Sequence, residues 1–183
     1  MKLHKRKNRM SIIETLKRND INSVWHFTDI SNLDSIVKYG ILSLHELVEN
    51  SIDAHFSADV LSHSLDRRYG LDEYVHLAFI SDHPMYHNAL KRGSIDHGIW
   101  IELDLKVLLD DSVMFSDEVA NKSGVKPFDY TKVEEKIDFI KMFHRDFWTR
   151  LEARKAEIMV PNKIDINYIK AIYDGNTGVQ YGK

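Results

Sequence analysis

His26-Phe27-Thr28-Asp29 closes a run of aromatic and β-branched residues and stands just ahead of Asn32 and Leu33. A strand end followed by a helix start offers free backbone donors and short polar side chains to a ligand. The plainer reading is that His26 and Thr28 finish a strand while Asp29 or Ser31 caps a helix. Arg67-Arg68-Tyr69-Gly70 is a second group. Guanidinium groups beside a cleft suit a pyrophosphate, because each can pair with it through two hydrogen bonds. Taken alone, the arginine pair reads as an exposed charged patch. Arg154-Lys155-Ala156-Glu157-Ile158-Met159-Val160 is a third, with a carboxylate opening an apolar strand. A glutamate there commonly faces solvent. Turned into a cleft, it can stabilise positive charge or act as a general base. His83 and His87 lie four apart, the spacing of two metal ligands on one helix face. No HExxH pattern is present and Pro84 lies between them, so hydrogen-bonding or solvent-facing histidines are expected and metal is not.

Other chemistry is excluded. There is no cysteine among the 183 residues, hence no thiol nucleophile, disulfide or thiolate-bound metal. No GxxxxGK[ST], strand-linked GxGxxG or GxSxG occurs. No apolar run approaches the about 20 residues of a membrane helix, and the basic start lacks the apolar stretch of a secretory signal. A cytoplasmic location without a membrane partner is therefore expected. A 43% hydrophobic and 29% charged composition supports a packed core. The net charge of −3 argues against a globally basic nucleic-acid binder. Yet Lys2, Lys5, Arg6, Lys7 and Arg9 concentrate positive charge in residues 1–10. That stretch reads as a basic tail, either a solvating segment or part of a local track for nucleic acid. Residues 11–183 read as one domain.

The elements that must position these groups alternate between helix and strand. Ser11 to Glu14 has a capping-box pattern for a helix ending near Lys17 and Arg18. Ser23–Thr28 predicts a strand, and Ser31 a cap for a helix with apolar Leu33, Ile36 and Val37, closed by Gly40. Residues 44–70 show no clear period. Tyr74–Ile80 predicts a buried strand, and Pro84 opens a helix ending at Gly93. Residues 99–105 alternate with period two, and Val113–Phe115 predicts a further short strand. Thr131 and Glu134 repeat the capping-box pattern. Val133, Ile137, Ile140, Phe143, Phe147 and Leu151 then predict one face of a long amphipathic helix. Glu157–Val160 and Tyr168–Tyr173 close the chain as strands. The class is α+β, with strands not joined by regular crossover helices.

The order Trp25-His26-Phe27-Thr28-Asp29, Asn32-Leu33, Ile36, Gly40, Asp72-Glu73-Tyr74-Val75, Pro84-Met85-Tyr86 and Ala156-Glu157-Ile158-Met159-Val160 resembles the DarT family, toxins that ADP-ribosylate DNA bases using NAD. The resemblance runs from about Val24 to about Tyr173. It implies the ADP-ribosyltransferase fold, a split, mostly antiparallel sheet with flanking helices. It implies NAD as co-substrate, no metal, a single-stranded DNA or RNA substrate and an antitoxin partner, in bacterial conflict or phage defence. His26, Thr28, Asn32 and Leu33 match the motif that holds the nicotinamide end and its ribose. Tyr74, Met85 and Tyr86 match positions beside the cofactor cleft. Arg68, or its neighbour Arg67, lies where the family has an active-site arginine, and Glu157 matches the catalytic glutamate.

The chain departs from the family pattern in places. His76 stands where the family commonly has proline after Tyr-Val, and His83 where serine precedes Pro-Met. The stretch from Arg68 to Tyr74 is shorter than usual. These departures bear on the substrate side more than on NAD, so two further readings stay open. One is a transferase acting on protein, or an NAD glycohydrolase, with the same fold. The other is a non-catalytic nucleic-acid-binding module, with Tyr69, Tyr74, Trp100 and Trp148 as stacking partners.

Overall fold

The computed structural model describes residues 11–55 and 66–181. The basic tail and the middle of the 44–70 stretch lie outside the described residues. Residues 11–18 form a first helix, α1. Then come β1 (Val24–Asp29), α2 (Leu33–Tyr39), β2 (Ile41–Leu42) and α3 (Leu44–Glu49). A short helix over 66–69 (α4) leads to β3 (Tyr74–Ala78), α5 (Pro84–Arg92), β4 (Gly98–Leu103) and β5 (Met114–Ser116). Three short helices follow, α6 (Val133–Lys136), α7 (Phe139–Met142) and α8 (Phe147–Ala153). The chain closes with β6 (Glu157–Pro161), β7 (Lys163–Ile164) and β8 (Ile169–Asp174).

Six strands make one antiparallel sheet in the order β5-β6-β3-β1-β4-β8. β1 pairs with β4 from Val24↔Leu103 to Asp29↔Gly98, and β3 with β6 from Tyr74↔Pro161 to Ala78↔Glu157. β1 and β3 meet only at Trp25↔Ala78. The sheet therefore splits between its two central strands, and the fork opens toward Thr28 on one side and Tyr74 on the other. This is the α+β, split-sheet architecture expected from the sequence.

Strand alternation sends the two faces into different cores. Val24, Val75, Leu77, Ile99, Ile101 and Ile158 point into the main core, beneath α1, α2, α6 and α7. Ala78 and Trp100 point the other way, join Tyr86, Ala89 and Ile95, and carry Trp25 and Phe27 at their edge. Trp100 is thus a core residue and not a stacking platform for a base. Gly98 and Gly175 owe their lack of a side chain to this second core. A Cβ would lie 2.4 Å from the Tyr86 hydroxyl at Gly98 and 1.9 Å from it at Gly175.

The long helix expected over 131–151 is three helices. Ile137 leaves α6 in an extended conformation, φ −94° and ψ 118°. Asp138 then accepts from the Lys141 N–H to start α7, and Asp146 accepts from the Thr149 N–H to start α8. Aspartates that cap locally override the apolar period. The expected buried stripe is consequently broken: Val133 and Ile137 are buried, but Ile140 is 82% exposed, and Phe143 and Phe147 are exposed with Trp148. The Thr131–Glu134 capping box does not form either. Asp129 caps the turn at Thr131, and Glu134 instead accepts from Thr15 and Arg18 of α1. At the end of β1 the cap is Asp29, not Ser31, and Val37 faces solvent. The β2–β7 pair, two residues on each side, has no expected counterpart. It sits against Gly40, whose φ of +82° and Cβ position 2.4 Å from the Ile164 carbonyl oxygen require glycine.

Candidate active site

Glu157 opens β6 opposite Ala78, one strand away from the single β1–β3 contact. It therefore sits beside the vertex of the fork, and it is only 8% exposed. Its Oε2 accepts the Ala120 N–H at 3.1 Å and lies 3.0 Å from His76 Nδ1. Its Oε1 accepts no hydrogen bond among the described residues, and the buried His83 Nε2 lies 4.0 Å from it. Burial works against the charge on Glu157. The bond from His76, its positive charge and the Ala120 N–H outweigh burial and hold the carboxyl below its usual range.

Two histidines flank this carboxylate, a third bonds the main chain of one of them, and the three differ in state. His76 on β3 bonds Glu157 through Nδ1 and the Leu71 carbonyl through Nε2, at 3.2 Å. Burial disfavours its charge, but Glu157 above all, with Asp66 and Leu71, raises its pKa to about 9. His26 lies in the fork and donates Nδ1–H to the His76 carbonyl at 3.1 Å. Burial lowers its pKa to about 4, with the charge of His76 adding to the effect. It is neutral near pH 7, which leaves Nε2 as an acceptor. His83 caps α5 by accepting the Met85 N–H on Nδ1. Its proton is thus on Nε2, on the side of Glu157, and burial holds it neutral. His83 and His87 do not share a site, since His87 pairs with Asp82 at the surface. Among the described residues, no group of three or more His, Cys, Asp or Glu could hold a metal ion.

The other expected site residues divide. Thr28 and Asn32 are buried together: the Asn32 amide donates to Thr28 Oγ1 at 2.8 Å and to the His55 carbonyl at 2.7 Å, and accepts the His55 N–H at 2.7 Å. Asn32 thereby ties the end of β1 to the segment at His55. Leu33 is half-buried against the main core. Tyr74 packs beside Leu71, Met159 and Ala120, the residue whose N–H bonds Glu157. Met85 is half-buried in the first turn of α5. Tyr86 is 2% exposed in the second core, so it supports the cleft floor without lining it. Arg67 and Arg68 are exposed on α4, with the Arg68 guanidinium 6.0 Å from the Tyr69 ring centroid. They precede Leu71, whose carbonyl bonds His76.

Sequence reasoning missed Ala120, which has no signal a sequence could carry. It noted His76 and His83 only as departures, without connecting them to Glu157. It also gave Asp29 too little. That buried carboxylate accepts the N–H groups of Ser31, Asp96 and His97. Burial opposes its charge, but these donors lower its pKa to about 2.

The split, mostly antiparallel sheet with a buried carboxylate beside its fork is the architecture that the resemblance to ADP-ribosyltransferases implied. The family model described as "ssDNA thymidine ADP-ribosyltransferase, DarT" matches residues 25–180, and the chain belongs to that family. A curated relative from Thermosipho africanus (strain H17ap60334), named a DNA ADP-ribosyl transferase–DNA ADP-ribosyl glycohydrolase fusion protein, is 27% identical over 161 residues. That match covers 82% of this chain and 42% of the relative, so the chain spans about two-fifths of its length. The solved structure of Thermosipho africanus DarTG in complex with ADP-ribose superposes with a TM-score of 0.69 at 23% identity, over 84% of this chain and 44% of that one. Thermus sp. 2.9 DarT in complex with ADP-ribosylated ssDNA superposes with a TM-score of 0.67 at 17% identity, covering 85% and 82%. The same protein in complex with NAD+ gives 0.61 at 16% identity, covering 84% and 82%.

Proposed function

We propose that this chain transfers ADP-ribose from NAD to a thymidine base of single-stranded DNA, with Glu157 as the catalytic carboxylate. The observation that carries the reading is the state of Glu157: buried, ionised, fixed through Oε2 and unspent at Oε1. Breaking the nicotinamide–ribose bond leaves an oxocarbenium-like carbon and neutral nicotinamide; the base then bonds to that carbon and gives up its proton to solvent. The carboxylate stabilises that charge where it develops. A carboxyl held below its usual range is a weak proton acceptor, so electrostatic stabilisation suits Glu157 better than general-base work. Neutral His26 offers Nε2 to a ribose hydroxyl or an amide N–H, and Thr28, Asn32 and Leu33 shape the strand end beside it. Tyr74 and Met85 flank the cleft. A base must be unpaired to reach the ribose, which favours a single strand. To Arg67 or Arg68, both exposed on α4, we assign the phosphates or the incoming base.

A toxin role follows, since base modification in the cytoplasm harms the host. The Thermosipho relative is named as joining a transferase to a glycohydrolase, which supports an antitoxin that removes the modification. The test is incubation with labelled NAD and separate pools of single-stranded DNA, RNA and protein. Label in DNA, lost in Glu157→Gln, is expected. Label in RNA or protein alone, or free ADP-ribose alone, would replace the reading with the corresponding alternative. Arg67→Ala and Arg68→Ala, made separately, are expected to weaken DNA labelling unequally and so to identify the arginine at the site.

A further inference from the structure

Both ring nitrogens of His76 face oxygen atoms. Nδ1 lies 3.0 Å from Glu157 Oε2, and Nε2 lies 3.2 Å from the Leu71 carbonyl. A carbonyl oxygen only accepts, so Nε2 carries a proton. Oε2 also accepts the Ala120 N–H, so a carboxylate there takes a second donor from Nδ1. The ring then has two N–H groups and a positive charge. His83 sets the opposite condition at the other oxygen. Its Nδ1 is used by the Met85 N–H, and its buried Nε2–H, near the Lys155 carbonyl but outside good hydrogen-bond geometry, lies 4.0 Å from Oε1.

We propose that His76 acts as a positioning residue for Glu157, its doubly protonated ring fixing Oε2 so that Oε1 is the one oxygen presented to the ribose. This rests on Glu157 being the catalytic carboxylate. The charged and titratable groups around His76 come from several elements. Glu157 lies on β6 and Asp66 on α4, both favouring its charge. His26 on β1 meets its carbonyl, and His83 stands at the start of α5, on the other side of Glu157, with Glu118 acting on His83. With both other histidines neutral, His76 is the cation of the cluster. The raised pKa of His76, about 9, agrees with the geometry.

The sign of the pH effect follows. Above about pH 9 His76 loses its proton and the charged pair with it, so turnover falls on the alkaline side. In His76→Asn, the amide still donates to Oε2 but carries no charge. The alkaline limb then disappears and the acid limb moves to higher pH, because the Glu157 carboxyl is no longer held down. At neutral pH, kcat drops roughly tenfold or more, in the range seen when a group that orients a functional ligand is removed, with less effect on KM for NAD.

Two measurements on the whole chain decide this. The first is the kcat profile from pH 5 to 10 for the parent, His76→Asn and Glu157→Gln. The second is ¹⁵N-histidine NMR, with His76→Asn assigning the ring. A His76 ring doubly protonated through pH 8 in the parent, and titrating at markedly lower pH in Glu157→Gln, where burial is no longer offset by the carboxylate, supports the proposal. A parent His76 that titrates near 6.5, or a His76→Asn profile that superimposes on the parent's, overturns it while the catalytic role of Glu157 stands. A Glu157→Gln enzyme as active as the parent overturns the catalytic reading itself and the positioning role with it.

Discussion

Among the described residues, two carboxylates are buried, Asp29 at the close of β1 and Glu157 at the opening of β6. Both stay ionised against the cost of burial, by different means. Asp29 is satisfied by main-chain N–H groups on both oxygens, from Ser31, Asp96 and His97. Its work is to pin the end of β1 to the turn before β4, where Ile30 N–H also bonds the His97 carbonyl. Glu157 receives one main-chain donor and one imidazole, both on Oε2. A carboxylate held on both oxygens by backbone donors is committed to the fold. A carboxylate held on one side only is rigid and still has an oxygen to offer. The difference teaches that burial alone does not separate the two carboxylates; the unspent acceptor does, and on it rests the catalytic role proposed for Glu157.

The comparison breaks first at Glu157. Glu157→Gln should cut DNA labelling by about 1,000-fold, the scale of losing one preorganised charge-stabilising group, while shifting the melting temperature less than changes at Asp29. Asp29→Ala should do the reverse. It leaves the N–H groups of Ser31, Asp96 and His97 without their acceptor and should cost about 3 kcal/mol, read as a melting temperature lower by about 10 °C. If Asp29→Ala melts like the parent, the carboxylate held by backbone donors is not structural and the contrast fails.

Acid titration sharpens the same point. The carboxyl of Asp29 is lowered in the folded state from 3.8 to about 2. Its stabilisation is therefore present above about pH 4 and is lost as pH falls toward 2. Melts of the parent and Asp29→Asn from pH 7 to 2 should converge at the acid end. Parallel curves would show that the charge contributes nothing.

A smaller contrast sets a crowded group against an unpaired one. Gly175→Ala drives a methyl into the Tyr86 hydroxyl and should cost about 2 kcal/mol by overpacking. Tyr86→Phe removes a buried hydroxyl that has no hydrogen-bond partner. It should leave stability unchanged or raise it by up to about 1 kcal/mol, with KM for NAD unaltered. A rise in that KM would place Tyr86 in the cofactor cleft after all.

The strands were legible where patterns are local. Alternation over 99–105 and the apolar run from Tyr74 gave β4 and β3 to within two residues, and Pro84 and Gly93 bounded α5 as capping rules require. The helical period from Val133 to Leu151 misled, because Asp138 and Asp146 each restart the backbone and no apolar count registers that. The β2–β7 pair is too short to leave a period at all. At the candidate site, position alone favoured a solvent-facing Glu157 and a His26 that merely finishes a strand; the resemblance to the family is what singled them out. The link between His76, His83 and Glu157 crosses three elements and up to 81 residues of sequence, a separation at which residue types say nothing about contact.

The amino-acid sequence by itself determined the α+β class, the absence of thiol chemistry and the order of motifs that marks the family. These follow from composition, short-range period and residue identity, which need no fold to be read. Only the tertiary structure decided that the sheet divides at Trp25↔Ala78 and that Glu157 sits beside that vertex. It alone made one histidine a cation and left two neutral, because charge state depends on what burial brings within about 4 Å, and that is set by packing.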